Sequence, residues 1–445
     1  MFNAYKLAVA HDPELPETKF TRWAIRLLYL LIIIGCGVRF YQVWLHNPAS
    51  PDHLFSDPQR HWEYASKPLE PSPMALFDPP FFQLWLSVLQ KWTMGLLPLI
   101  AIYAGLLSIA TPWLWYRFIR EATSSRVIAL TGWAAFVWLP TWISIYSYFM
   151  TETLLLPLMG ASLWMTLHAD RKRTVASFVG MVALWLVTGL VRAIGLPLGA
   201  LATLLVWLRH PYKLRSAAWS TVVLVLLMAP LSYRNDHFNH LWTPWGNPWL
   251  TKIYAESGKK EVVIHLTLDG AGWEYGFTTP AMEQHPLLPL SNWTSSREGT
   301  VDATVDMSHG EDDWRKEYER TAVHGWERLK MRAENVINIM VGSSWPDDNT
   351  DYFWSRMSVA FRWPWAPWLL LAVVMGIRNW RDTRERPLLP LLIVAWFFLQ
   401  ASSLVATNEG RYRKPLEGLL VAQMFIMWDQ SRKRAVPSPK VKTKR

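Results

Sequence analysis

Cysteine is almost missing from this chain: Cys36 is the only one in 445 residues. An intrachain disulfide is therefore excluded, and so are metal sites built on paired thiolates. No HExxH pair, P-loop or dinucleotide fingerprint occurs, so the signatures of zinc peptidases, P-loop nucleotidases and Rossmann enzymes are all lacking. Acid is also scarce, with 35 Asp and Glu against 45 Lys and Arg and a formal charge of +10. An excess of base can mark a nucleic-acid binder, but here its distribution points elsewhere.

Apolar residues are abundant, at 51% of the chain with 29 tryptophans. They gather into blocks near the ~20 residues that cross a bilayer as a helix. About ten such spans are predicted. They run from Leu27 to Trp44, Gly95 to Tyr116, Val127 to Tyr146, Phe149 to Leu167 and Val175 to Leu190. The rest are Ala193 to Leu208, Ala217 to Leu231, Ala360 to Ile377, Leu388 to Val405 and Leu416 to Trp428. Mean hydropathy is only +0.07 because one long hydrophilic insertion dilutes them. Residues 1–20 form a polar lead with no small-residue cleavage site after the first apolar run. A retained first span is expected rather than a removed signal peptide.

Every second loop is basic. Arg117, Arg120 and Arg126 follow the second span, Arg171, Lys172 and Arg173 the fourth, and Arg209, Lys213 and Arg215 the sixth. Arg378, Arg381, Arg384 and Arg386 follow the eighth, and the tail beyond Trp428 is strongly basic. By the positive-inside rule these loops and both termini face the cytoplasm. The charge thus reads as topology, with the tail able to lie on anionic lipid, and no nucleic-acid partner is called for.

The opposite loops face outward: residues 45–94, the turns near Ser147 and Val191, the insertion from Tyr233 to Met357, and the turn from Ala406 to Lys414. Within the insertion, Glu261 to Leu268 reads as a strand. Ser308-His309-Gly310-Glu311 fits a capping box. Trp314, Tyr318, Trp326, Leu329, Ala333 and Ile337 recur at helical spacing. Asn292-Trp293-Thr294 matches a glycosylation sequon, a pattern common by chance. Phe81 to Trp92 is too short to span and is expected to lie in the interface as an amphipathic helix.

Polar residues on the outward side fall in few places. The first loop carries Asp57, Arg60, His61, Glu63, Tyr64 and Lys67, then Asp78 before Pro79-Pro80. Glu152 opens the fourth span, Arg192 separates the fifth and sixth, and Arg39 lies near the outer end of the first. Asn408-Glu409-Gly410-Arg411-Tyr412-Arg413-Lys414-Pro415 forms the last outward turn. Alternation of spans brings all of these to one boundary between water and membrane. Each also has a bland reading. Asp57, between Ser56 and Pro58, suits a helix N-cap with proline at the first helical position. Arg39, Arg192 and Arg411 can snorkel to headgroups, and Glu152 can pair with such an arginine inside the bundle. His61 and His265 lack a second ligand at metal spacing. The tryptophans suit an aromatic belt, with Trp62 or Trp85 available to stack on a sugar.

In that order of features the chain resembles the polyprenyl-phosphate-dependent membrane glycosyltransferases. This C-type class includes protein O-mannosyltransferases and the bacterial lipid A aminoarabinose transferase. The resemblance rests on Arg39 in span one, the acidic first loop from Asp57 to Ala65, and Pro79-Pro80-Phe81. It continues with Thr151-Glu152, Leu190-Val191-Arg192, Tyr233-Arg234-Asn235 and the run from Glu409 to Pro415. Two positions depart from the pattern: Pro58 stands where relatives often carry a second acid, and Asp78 where some carry a lysine. The donor sugar is accordingly left open.

The resemblance implies an inverting transfer of sugar from a polyprenyl-phosphate donor to an acceptor hydroxyl on a lipid, glycan or protein. Asp57 would act as general base. Arg192, Arg411, Arg413, Arg60 and Arg39 would bind the donor phosphate, since a guanidinium fork meets two phosphate oxygens at once. His61, Tyr64, Asp78, Glu152, Glu409 and Tyr412 would contact substrate. No cofactor is required by this reading, though a divalent cation is compatible with it. The expected fold is an all-α multi-span membrane protein with interfacial helices in the first outer loop and a small α+β extracytoplasmic insertion. Its expected divisions are a transmembrane module 1–232 with the catalytic loop 45–94, an outer domain 233–357, a second transmembrane module 358–430 and the basic tail 431–445. A bacterial inner membrane with the active site facing the periplasm is the expected setting. The alternatives are a lipid-linked sugar transporter or flippase, and a protein like an O-antigen ligase or polymerase. No visible repeat relates two halves of the chain, against the first. An acid early in the first loop tells against the second.

Overall fold

The structure, a computed structural model, describes residues 18–67, 80–245, 247–259, 261–268, 270–278, 299–341, 346–347, 350–361, 363–378, 387–402 and 410–435. These residues are mostly helical, with one three-stranded sheet. Helix α1 spans Lys19–Leu45, and its first turn is closed by the Thr18 hydroxyl, which accepts from the Thr21 amide at 3.1 Å. Two shorter helices, α2 (Ser56–Tyr64) and α3 (Pro80–Thr93), lead to the long helix α4 (Leu97–Ala122). Next come α5 (Arg126–Val137), α6 (Pro140–Ser144), α7 (Thr151–Lys172), α8 (Val175–Val191), α9 (Gly195–Trp207) and α10 (Lys213–Asn239).

Where they are described, the ten expected spans fall on helical segments, but among the described residues only three helices are both long and apolar enough to cross a membrane: α1, α4 and α10. A fourth is reached if α5 and the segment Pro140–Ser147 are one span, bent by 57°. The third predicted span is therefore broken rather than straight, and Pro140 is the reason. It has no N–H for the Phe136 carbonyl one turn back. Arg39 of α1 fills the break, its Nη2 donating to the Phe136 oxygen at 2.8 Å and its Nε to the Val137 oxygen at 2.7 Å. Its Nη1 reaches the Trp142 and Ser108 carbonyls, both at 3.0 Å, and the Ser108 hydroxyl at 3.1 Å. Freed carbonyls in an apolar layer must find donors, and one buried guanidinium supplies them.

Helix α7 runs through the centre, packed on α4 and α8. Small residues allow the close approach: a Cβ on Gly160 would stand 2.6 Å from the Trp115 ring. At one end of the bundle the basic loops meet buried acids. Arg209 contacts Asp170 at 2.7 Å and Arg171 contacts Glu121 at 3.3 Å. Asp429 accepts from the Ser124 and Ser125 amides at 3.0 and 3.1 Å. The starts of α7 and of the last helix, α17 (Lys414–Ala435), gather at the other end. The basic loops at Arg171 and Arg209 and the corner of Glu152 and Arg192 thus lie at opposite ends of α7.

Beyond α10 a small unit forms its own core. Helix α11 (Pro248–Glu256) precedes strands β1 (Glu261–Leu268), β2 (Ala271–Thr278) and β3 (Thr300–Asp306), in sheet order β2-β1-β3. Strand β1 pairs antiparallel with β2 and parallel with β3. Val262, Ile264 and Leu266 alternate inward, as a half-buried strand requires, onto Leu250, Ile253, Ala303, Val305 and Trp314. Helices α12 (Glu311–Thr321), α13 (Gly325–Val341), α14 (Phe353–Ala360), α15 (Trp365–Arg378) and α16 (Leu388–Ser402) lead back to α17.

Three expectations change here. The outer unit opens after Asn239, not at Tyr233, because α10 continues through its polar end until His240 takes a left-handed φ of 53°. The capping box does not form: Gly310 caps α12 at φ 66°, and Ser308 sits in a preceding 3-10 turn and donates to Asp306 at 2.6 Å. The helical stripe from Trp314 is split between α12 and α13, with Trp314 buried but Trp326 and Leu329 exposed. The sequon at Asn292 lies outside the described residues.

Candidate functional site

The first outer loop folds as a short helix, α2. Asp57 is its second residue, and the cap position is Phe55, with no side chain closing the end. The N-cap reading of Asp57 is replaced by an ion pair, Arg60 Nη1 to Asp57 Oδ1 at 2.5 Å. Spacing explains the contact, since residues three apart share a helix face. Both side chains are about a fifth exposed, 21% for Asp57 and 22% for Arg60.

Aromatic contacts fix α2 against the bundle. The Trp62 ring stacks on Phe149 with centroids 4.6 Å apart and planes within 3°. Gln90 Nε2 donates to the Trp62 carbonyl at 2.6 Å, and His61 meets the edge of Phe82 at 5.0 Å. Trp62 is therefore engaged in packing, and Trp85 donates from Nε1 to the Tyr103 hydroxyl at 2.7 Å. Both rings remain partly exposed beside these contacts. Tyr64 lies near enough to Tyr275 of β2 to act on it electrostatically, which brings the small sheet beside the first loop. The interfacial helix α3 buries Phe82, Leu86 and Leu89 while Val88 and Trp92 stay exposed.

Phe149 leads directly into α7, and three residues on stands Glu152, buried and ion-paired with Arg192 at the end of α8. Arg192 retains 18% exposure, and its guanidinium lies 4.2 Å from the Tyr412 ring centroid. The neighbouring turn continues the charge network inward. Arg413 Nε donates to Glu417 at 3.1 Å, and the Thr141 hydroxyl donates to the other Glu417 oxygen. Lys414 Nζ reaches Asp347 at 2.9 Å and the Thr141 carbonyl at 3.0 Å. Ser358 donates to the same Asp347 oxygen at 2.6 Å.

A ring cluster joins these parts. His53 lies 5.1 Å from Tyr148 and 5.4 Å from Tyr352, while His46 lies 3.6 Å from Tyr352. The Tyr148 and Thr350 hydroxyls share a hydrogen bond of 2.8 Å. Burial, then the nearby Asp347 carboxylate, pushes the Tyr148 phenol upward, so it stays protonated. Burial first and His46 second lower His53 to about 4. The sign follows directly. Between about 4 and its ordinary 6.5 the unfolded chain binds the proton and the folded one does not, so stability falls as pH drops through that window. Unfolding of the detergent-solubilised protein should therefore move to lower temperature from pH 6.5 to 4, and His53→Gln should flatten the slope. An unchanged slope in that variant would remove His53 as the cause.

The residues predicted for the site thus divide. Asp57, Arg60, His61 and Tyr64 share α2, while Glu152, Arg192, Tyr412 and Arg413 meet where α7, α8 and α17 converge. Arg39 is spent on the break in the third span. Arg413 is fully buried on Glu417. From the sequence both are expected to bind the donor phosphate; both are instead fully buried on these partners. Asp78 and Glu409 lie outside the described residues, and Arg411 is described only through its backbone in the turn Gly410–Arg413. Sequence reasoning named Lys414 only as part of the last outward turn and gave no role to Glu417, Asp347 or His53. The spacing of Arg413 and Glu417, four apart, was a usable signal; Asp347 had none, because its partner is 67 residues away. Among the described residues no three His, Cys, Asp or Glu side chains gather as for a metal ion.

No family model matches the chain, and no curated protein or solved structure matches it either.

Proposed function

We propose that this protein is a membrane glycosyltransferase that takes a sugar from a polyprenyl-phosphate donor and passes it, with inversion, to an acceptor hydroxyl. The reading includes about ten membrane spans, cytoplasmic termini and an active site on the periplasmic face of a bacterial inner membrane. One observation carries it. The helix bearing Asp57 is stacked on Phe149, immediately before the Glu152–Arg192–Tyr412 corner, so a carboxylate and a cationic corner flank one stretch of chain.

In this scheme the Asp57 carboxylate accepts the proton as the acceptor oxygen attacks the anomeric carbon. The bond from that carbon to the phosphate oxygen breaks, and the electron pair leaves with the polyprenyl phosphate. Arg60 holds one Asp57 oxygen and orients the other oxygen for the proton. Arg192, partly exposed and backed by Glu152 and the Tyr412 ring, is the cation best disposed toward the growing phosphate charge. Arg411 is retained in that role from the sequence. Arg39 and Arg413 act behind the site, holding the third span and the last helix.

The test is reconstitution of the purified protein in lipid with a polyprenyl-phosphate sugar and an envelope extract as acceptor. Transfer of label from the donor to an acceptor is expected, and mass spectrometry of copurifying lipid should identify the sugar. Movement of intact donor across the bilayer without transfer would favour the flippase reading and overturn this one.

A further inference from the structure

A second charged cluster lies in the outer unit, where α11, α12 and α13 meet. Trp249, Lys252 and Glu256 of α11 stand three and four residues apart and share a face. Facing them, the Tyr318 hydroxyl donates to Glu256 Oε2 at 2.6 Å, and Arg328 reaches the same oxygen at 2.6 Å. Glu256 is wholly buried, so this pair fixes Arg328 firmly. The Trp249 and Tyr318 rings lie 5.7 Å apart and tilted. Lys252 Nζ sits 4.0 Å from the Trp249 centroid and 5.8 Å from that of Tyr318. Arg315 approaches Trp249 at 5.9 Å, and Arg332, one turn beyond Arg328, acts electrostatically on Tyr318.

Cations outnumber acceptors in this corner. Glu256 is taken by Arg328, and Glu311 by Arg315 at 3.5 Å. Among the described residues Lys252 and Arg332 have no carboxylate partner; the Nε atoms of Arg328 and Arg332 are enclosed without an acceptor, against one enclosed acceptor, Glu256 Oε1, that is likewise without a donor. A structural role accounts for Glu256, Tyr318 and Arg328, but not for two further cations held on an aromatic pair. Buried polar groups without partners are costly, and the surplus of cations over carboxylates here suits an anion. Trp249 and Tyr318 are only half-buried, and rings of this kind pack on a sugar, while charge-assisted bonds from Lys and Arg suit an oxyanion.

We propose that this three-helix corner binds a saccharide carrying a phosphate or another strong oxyanion, independently of the transfer site. The ammonium of Lys252 and the guanidinium of Arg332 hold the oxyanion, and Trp249 and Tyr318 flank the sugar.

Calorimetric titration of the full chain in neutral detergent tests it with glucose 6-phosphate, glucose and inorganic phosphate as probes. The sugar phosphate should bind more tightly than either of the others. The variants K252Q and R332Q, both at partly exposed positions, should each weaken it about tenfold, the loss of one charge-assisted contact. Equal affinity in wild type and both variants would overturn the proposal. So would a preference for phosphatidylglycerol-containing phosphatidylcholine vesicles over the sugar phosphate, which would assign the corner to a lipid surface. The Asp57→Asn variant should bind as wild type does, which keeps this outcome separate from the fate of the transferase reading.

Discussion

Asp57→Asn should lower sugar transfer by about 10²- to 10⁴-fold, the usual contribution of a general base. The substitution is nearly isosteric, and the amide oxygen can still accept from Arg60 Nη1, whose contact with Asp57 orients the side chain. Helix α2 is otherwise fixed by the Trp62–Phe149 stack and the Gln90 bond, neither of which the change touches. Turnover should therefore fall while insertion, thermal unfolding and donor binding stay as in wild type. Initial rates with labelled donor in proteoliposomes measure the first, and retention of copurifying donor lipid measures the last. A variant with full transfer rate would remove the base from this position.

The largest stability effect is expected at Asp347→Ala. Lys414 and Asp347 are both fully buried, 2.9 Å apart, and removal of the carboxylate leaves the ammonium with the Thr141 carbonyl as its one hydrogen-bond acceptor among the described residues, and Glu417 as the remaining carboxylate that acts on it. Breaking a buried pair from one side costs about 3–5 kcal/mol, because the surviving charge remains out of water. Combining Asp347→Leu with Lys414→Met removes both charges and should recover most of that loss, since an apolar pair of similar volume is often neutral by comparison. Thermal unfolding of the three proteins in one detergent checks the order. If the double variant is no more stable than Asp347→Ala, the penalty lies in packing rather than in the stranded charge.

Much of the architecture was legible from local pattern. The period-two run of Val262, Ile264 and Leu266 is the strand β1, with the bounds the sequence predicted. The alternation of basic loops separated two ends that the ion pairs at Asp170 and Glu152 then mark. Misreadings came where a single backbone angle or a distant partner decided the outcome. Gly310 at φ 66° moved the cap of α12 away from Ser308. Pro140 broke a span that hydropathy alone reads as continuous, since an apolar average is blind to one missing N–H. Of the candidate site, only residue types and their places along the chain could be read from the sequence. Its internal bonding could not: which arginine serves a carbonyl, which a buried acid and which stays partly exposed depends on contacts between spans.

Arg39 carries a consequence for how the chain is made. Its bonding partners lie 69 to 103 residues downstream, on segments that leave the ribosome after α1 is already synthesised. Until they arrive, the first helix holds a guanidinium without its protein partners, a penalty of at most about 2.5–3.5 kcal/mol, the insertion-scale figure for a central position, since Arg39 lies toward the outer end. Settlement of the first helix is thereby tied to delivery of the third hydrophobic segment. A ribosome stalled between them should leave α1 poorly embedded, and the late-arriving carbonyls of Phe136, Val137 and Trp142 act as a latch that closes the N-terminal half in a defined order.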